Sequence, residues 1–192
     1  AAMHNNGGFI SLEDLESYSP IFSEPIRTDY RLHPIFAPRP PSGGAIVVLD
    51  ALNILENFDL GRYKSNSAAT YHLLAEALRR GHMDRSRHIG DPSFYDVPVE
   101  SIISKKRARE LKKTINFKSA SSYKSMSPDD FLEESKDTTH FSIVDEDGNA
   151  VSNTYTLGYS FGSGVTIPGT GILMNNHMNN FAYRYGDKSI RG

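Results

Sequence analysis

Five residues, Asp145-Glu146-Asp147-Gly148-Asn149, constrain this chain more than any other stretch. They sit inside a run from His140 to Leu157 that alternates polar and apolar residues, and that combination predicts a β-hairpin. Glu146-Asp147-Gly148 suits a three-residue loop in which Gly148 takes the left-handed conformation that only glycine adopts cheaply. Centring the hairpin on Asp147 pairs residues equidistant from it in number. Thr138 then faces Thr156, His140 faces Thr154, Ser142 faces Ser152 and Val144 faces Ala150. Opposed side chains share a face, with Cβ atoms roughly 4.5–5.5 Å apart. That face is small and rich in hydroxyls. The other carries Phe141, Ile143, Val151 and Tyr155 and is expected to pack on a core. A two-residue loop at Asp147-Gly148 would slip the register by one and break the Thr138–Thr156 pair.

Upstream, the apolar period lengthens. Gly7-Gly8 and the run Phe9 to Leu15 read as a turn and a short helix, with Ser11 as N-cap and an acid three residues on. Ile26 to Phe36 reads as extended, and the breaker cluster Pro38 to Gly44 follows it. Ala45 to Phe58 has helical spacing, with apolar residues at 45, 48, 49, 52 and 55. A second helix, Ala68 to Arg87, carries Leu73, Leu74, Ala77 and Leu78 along one side and is ended by Gly90-Asp91-Pro92. A third amphipathic stretch, Ile102 to Ile115, is rich in Lys and Arg. The expected order is therefore a mostly helical region over 1–117, a serine-rich linker over 118–137 and a hairpin-rich region over 138–192. The fold class is α+β.

Composition removes several functions. With 21 basic and 23 acidic side chains the net charge is -2, and no basic stripe points to a nucleic-acid partner. The run Lys105-Lys106-Arg107 through Lys112-Lys113 reads as a wet helix face. The longest apolar run, Ala45 to Leu49, is far too short to span a membrane. Cysteine is absent, which excludes disulfides, thiolate chemistry and Cys-ligated zinc in this stretch. Ala1-Ala2-Met3 lacks the basic and apolar flanks of a signal peptide, though a leader upstream is compatible with this start. His72, His82 and His88 lie on or near one helix and read as solvated. Asp84-Arg85 reads as a helix-end ion pair, and His140 as a structural hydrogen-bonder on its strand. No Gly-x-Ser-x-Gly elbow supports a serine hydrolase.

One pair carries candidate chemistry. A threonine hydroxyl is a poor nucleophile until a base takes its proton. Were Thr138 a chain terminus, its own α-amine, a group that ordinarily titrates at about 7.7–8, would be that base near neutral pH. Thr156 opposite would hold the hydroxyl in place. Paired threonines on a sheet also occur for purely structural reasons, so the pattern by itself leaves both readings open.

A resemblance separates them. Asp137-Thr138-Thr139-His140-Phe141-Ser142-Ile143-Val144-Asp145, with Asp147-Gly148-Asn149-Ala150-Val151 and Thr154-Tyr155-Thr156, closely resembles the processing site of γ-glutamyltranspeptidases. Phe161-Gly162-Ser163-Gly164 and Gly171-Ile172-Leu173-Met174-Asn175-Asn176 extend the match downstream. Pro41-Ser42-Gly43-Gly44, Asn53-Ile54-Leu55-Glu56, Ala75-Glu76-Ala77, Asp84-Arg85-Ser86 and Gly90-Asp91-Pro92 extend it upstream. The resemblance implies part of a four-layer αββα sandwich of the N-terminal-nucleophile hydrolases. It implies a precursor that cleaves itself between Asp137 and Thr138, giving the end of a large subunit and the start of a small one. Thr138 would then attack the γ-glutamyl amide of glutathione-like donors, and water or an acceptor amine would resolve the ester. Thr156 matches the threonine that hydrogen-bonds the nucleophile. No metal or organic cofactor is implied. The partners are the remaining parts of both subunits, and the parent is expected to be periplasmic or secreted.

Three positions depart from the family pattern, all where substrate is read. Gly158 stands where Asn is common, His177 where Gln is common, and Asn180 where Asp usually binds the substrate α-ammonium. A charge-assisted hydrogen bond contributes about 1.5–3 kcal/mol and a neutral one about half that, so Asn180 weakens the preference for a free α-amino group. Glutaryl or cephalosporin-type acyl groups and γ-linked polyglutamate are therefore alternative substrates. A remnant that binds a γ-glutamyl-like ligand without turnover is the alternative of another class. The family also uses an upstream arginine, a downstream serine pair and a later Gly-Gly oxyanion hole, none of which any residue here matches. Loss of one oxyanion donor costs roughly 10²–10³ in rate, so the 192-residue stretch alone is expected to be inactive.

Overall fold

The computed structural model describes residues 2–122 and 138–180. Along them run α1 (Ala2–Asn5), α2 (Leu12–Ser17), β1 (Ile26–Tyr30), β2 (His33–Ala37), α3 (Gly43–Leu55), α4 (Ala68–His88), α5 (Val99–Ile102), α6 (Lys105–Lys113), β3 (Thr138–Val144) and β4 (Ala150–Thr156). Single 3-10 turns occupy Leu60–Arg62 and His177–Asn180. Helices and two separate antiparallel strand pairs make an α+β chain, as the periodicity predicts. The linker expected before Thr138 lies largely outside the described residues. The described chain forms two compact units: residues 23–122, and residues 2–22 with 138–179.

In the first unit α3 is central. Ile46, Leu49 and Ile54 are fully buried, and Ala45, Val47, Ala51 and Leu55 nearly so. A helix that is apolar on most sides must be enclosed, and α3 meets α4, α6, β1 and β2. One cluster joins Ile26, Ile46, Leu49, Ile89, Ile102 and Ile103, and a second joins Ile54, Leu73, Ala77 and Ala108. The α3–α4 crossing is close at Gly81, where an added Cβ would come within 2.9 Å of the Val47 carbonyl oxygen. Of the predicted apolar stripe on α4, Leu73 and Ala77 are buried, whereas Leu74 lies at the rim, 41% exposed.

Three expectations for this unit need correction. The stretch Ile102 to Ile115 is not one helix. Ser104 interrupts it, its hydroxyl accepting the Arg107 N–H at 3.2 Å to cap α6. The basic run is not uniformly wet either. Arg107 turns inward and grips Asp84 with both guanidinium nitrogens, at 2.5 and 2.8 Å. Asp84 thus has a partner on another helix. Lys105 pairs with Glu56 at 2.5 Å, and Glu56 also accepts the Arg31 N–H at the tip of the β1–β2 hairpin. Lastly, His72 is half-buried, with Nε2 2.9 Å from the Asn116 carbonyl and its ring against Phe117.

The second unit contains the predicted hairpin, in the predicted register: Thr138↔Thr156, His140↔Thr154, Ser142↔Ser152 and Val144↔Ala150. The loop closes with Asp145 N–H donating to Asn149 O (3.0 Å) and Gly148 N–H to Asp145 O (3.1 Å). Gly148 has φ +83°. The Asp145 carboxylate accepts from the Asn149 side chain and from the N–H groups of Asn149 and Asp147, which holds it below the usual carboxylate range. The short helix α2 starts where predicted, with Ser11 and Asp14 forming a complete capping box.

The apolar face departs from expectation. Phe141, Ile143, Val151 and Tyr155 are 39–58% exposed, although the Phe141 and Tyr155 rings meet edge to face at 6.4 Å. Two strands cannot bury their own face; that takes a second layer.

Candidate active site

The site is built outward from the open end of the hairpin. Thr138 and Thr156 are its terminal ladder pair, and their side chains share the hydroxyl-bearing face. The next pair on that face supplies His140, whose Nδ1 lies 2.6 Å from Thr154 Oγ1. Its Nε2 lies 3.2 Å from both Ser142 Oγ and Ser152 Oγ. The imidazole is therefore tied to three hydroxyls across the ladder, which is the structural role read from sequence.

Beyond Thr156 the chain turns sharply. The Gly158 N–H donates to Thr156 Oγ1 at 3.0 Å, and Gly158 has φ +95°. The chain then runs out and folds back: Ser163 N–H donates to Met174 O, Met174 N–H to Val165 O, and Thr166 bridges Leu173. Asn176 N–H donating to Leu157 O (2.9 Å) closes the return. The Asn176 side chain comes back over the turn, its Oδ1 accepting the Tyr159 N–H at 3.0 Å. A Cβ on residue 158 would lie 1.9 Å from that oxygen and 3.2 Å from His177 Cδ2.

Gly158, Asn176 and His177 are thus brought together beside Thr156, although nineteen positions separate 158 from 177. Asn180 ends the His177–Asn180 turn. Asp137, and with it the predicted scissile bond, lies outside the described residues. Sequence reasoning missed Asn176 as a site residue. Its signal was present in Met174-Asn175-Asn176, a polar pair straight after an apolar run, but only the fold-back shows what it touches. Chemically, the face offers hydroxyls and one imidazole. Among the described residues no group of three or more His, Cys, Asp or Glu could hold a metal ion. No described helix is long and apolar enough to cross a membrane.

The sequence profile of one family, described as Gamma-glutamyltranspeptidase, matches residues 1–190. The chain is 40% identical over 191 residues to the glutathione hydrolase proenzyme of Escherichia coli K12, covering 99% of this chain and 33% of that protein. It is 42% identical over 179 residues to the acylase ACY 1 proenzyme of Pseudomonas sp. SE83, covering 93% of this chain and 32% of that one. Among solved structures, the cephalosporin acylase of Bacillus halodurans is similar with a TM-score of 0.79 and 33% identity, over 97% of this chain and 32% of that one. The Helicobacter pylori γ-glutamyltranspeptidase is similar over 68% of this chain and 38% of its own, with a TM-score of 0.62 and 34% identity. The chain spans about a third of the length of the curated relatives it matches.

Proposed function

The chain belongs to the γ-glutamyltranspeptidase family, and from that premise we propose that Thr138 is the residue at which its parent protein cleaves itself and the nucleophile of the mature enzyme. The observation that carries this reading is the ladder pair Thr138↔Thr156 at the open end of the hairpin. After cleavage between Asp137 and Thr138, the new α-amine takes the proton of the Thr138 hydroxyl. The freed oxygen attacks the acyl carbonyl of the donor amide, expelling the amine. Water or an acceptor amine then releases the acyl group from the ester. Thr156 positions the attacking oxygen and is itself held by the Gly158 N–H. The rest of both subunits completes the αββα sandwich, covers the Phe141–Tyr155 face and supplies the oxyanion hole, so the 192-residue stretch alone has no turnover.

The test is direct. Full-length protein is expected to yield a smaller band beginning Thr-Thr-His-Phe on N-terminal sequencing, and Thr138→Ala is expected to leave one uncut chain without activity. Unchanged maturation in that variant overturns the reading. An intact, inactive wild type would favour a binding remnant.

A second reading concerns the acyl donor. Asn180 in place of an acid and the similarity to an acylase and a cephalosporin acylase together favour donors without a free α-amino group, such as glutaryl amides. Comparing γ-glutamyl and glutaryl anilides, the wild type is expected to discriminate little. Asn180→Asp is expected to shift kcat/KM toward γ-glutamyl by about tenfold, the equivalent of a gain of about 1.4 kcal/mol from making one contact charge-assisted. A strong γ-glutamyl preference in the wild type would defeat it.

A further inference from the structure

Away from the hairpin, α3, α4 and α6 meet at a group of buried charges that the proposed chemistry does not use. Asp50 on α3 is fully buried, and neither carboxylate oxygen has a hydrogen-bond partner among the described residues. Asp84 on α4 is 4% exposed and lies beside it. From α6, Arg107 spends both terminal nitrogens on Asp84, at 2.5 and 2.8 Å, and approaches Asp50 Oδ1 only to 3.8 Å. The other buried guanidinium, Arg80 on α4, is paired to Glu76 at 2.7 Å, where Arg79 adds a second cation at 3.4 Å. Arg85 lies further along α4, against Gly43 in the first turn of α3. The buried residues of the neighbouring elements β1 and α5, Ile26, Thr28, Val99 and Ile102, carry no charge.

Arg107, with Arg80 pulling more weakly on Asp50, thus faces two buried carboxyls at the helix interface. An ionised carboxylate without a donor is costly to bury, and two of them side by side repel. A single proton held between the two carboxyls turns that repulsion into a hydrogen bond, and Arg107 balances the one remaining charge.

We propose that Asp50 and Asp84 share one proton across the α3–α4 interface, locking α3, α4 and α6 together at acidic pH and loosening them as the pH rises toward neutrality. Burial first, and then the Asp84 carboxyl, push the Asp50 carboxyl up to about 7, against the pull of Arg107. A carboxyl raised above its unfolded value stabilises fully below that unfolded value and loses the contribution as pH climbs through the folded one. The window therefore runs from about pH 4 to about 7, with the unfolding constant rising about tenfold per pH unit within it. This goes beyond the acyl-transfer reading and stands if that reading fails.

The experiment uses the full-length protein and compares wild type with Asp50→Asn, which mimics the protonated state and adds a donor toward Asp84. Thermal or denaturant unfolding from about pH 5 to about pH 8.5 is expected to show the variant gaining on the wild type about tenfold per unit up to neutrality and then levelling off. A wild type-to-variant difference that does not change with pH overturns the proposal. Should Asp50→Asn not fold, carboxyl-carbon NMR of aspartate-labelled wild type decides. A buried carboxyl that titrates near neutrality supports the shared proton, and aspartates that all titrate below about pH 5 overturn it.

Discussion

Ile54 and Ile143 are the same residue in two regions that are built on different terms. Ile54 is fully buried in the helical unit, among Leu73, Ala77 and Ala108, whereas Ile143 on the hairpin is 58% exposed. The helical unit encloses an apolar core of its own and its Glu76–Arg80 and Asp84–Arg107 ion pairs. The hairpin unit holds its register mainly by hydrogen bonds and turn chemistry, and among the described residues its apolar face is largely uncovered. The candidate nucleophile sits on the second kind of structure. A site on a self-sufficient unit can be formed before its surroundings, but a site on an open hairpin takes its final environment from what is laid across it.

The largest test of that contrast removes the cation that joins three helices. Arg107→Ala leaves Asp84 and Asp50 buried without it, and is expected to cost the helical unit about 3–5 kcal/mol in denaturant unfolding. A loss under about 1 kcal/mol would mean the interface does not depend on the pair. The isoleucines sharpen the comparison next. Ile54→Ala is expected to cost about 2–5 kcal/mol, whereas Ile143→Ala in this 192-residue chain is expected to stay within about 0.5 kcal/mol. Equal losses would break it. Two glycines give effects smaller than that of Ile54, for opposite reasons. Gly81→Ala pushes a methyl into the Val47 carbonyl and is expected to cost about 1–3 kcal/mol. Gly148→Ala meets open space and is expected to cost about 1–2 kcal/mol for its left-handed backbone alone. Asparagine should recover part of the loss at 148, because it tolerates that conformation, and worsen the loss at 81, because it is larger.

What could be read in advance follows the same division. The hairpin was legible because its information is local: a period of two, a glycine at one loop position, and a ladder in which number alone selects partners. The pairing of Thr138 with Thr156 followed from counting. The long helices were legible from their apolar spacing, and α2 from its capping pair. Arg107 was not. In the string Lys105-Lys106-Arg107 nothing marks the third residue as the one that turns inward, since its partner lies 23 residues upstream on another helix. Nor does the sequence mark the inward turn that lets Asn176 fill the space over Gly158, or the break at Ser104.

By itself, then, the sequence determined the order of the long helices and the hairpin, the hairpin register and the family, because each rests on neighbours in the chain or on motifs read in line. Tertiary structure alone decided which charges are buried against one another, which apolar faces are covered, and which side chain stands beside the site glycine. Those depend on distances between segments far apart in number. Burial makes them consequential, since a charge or a methyl group costs little in water and several kcal/mol in a dry, filled interior.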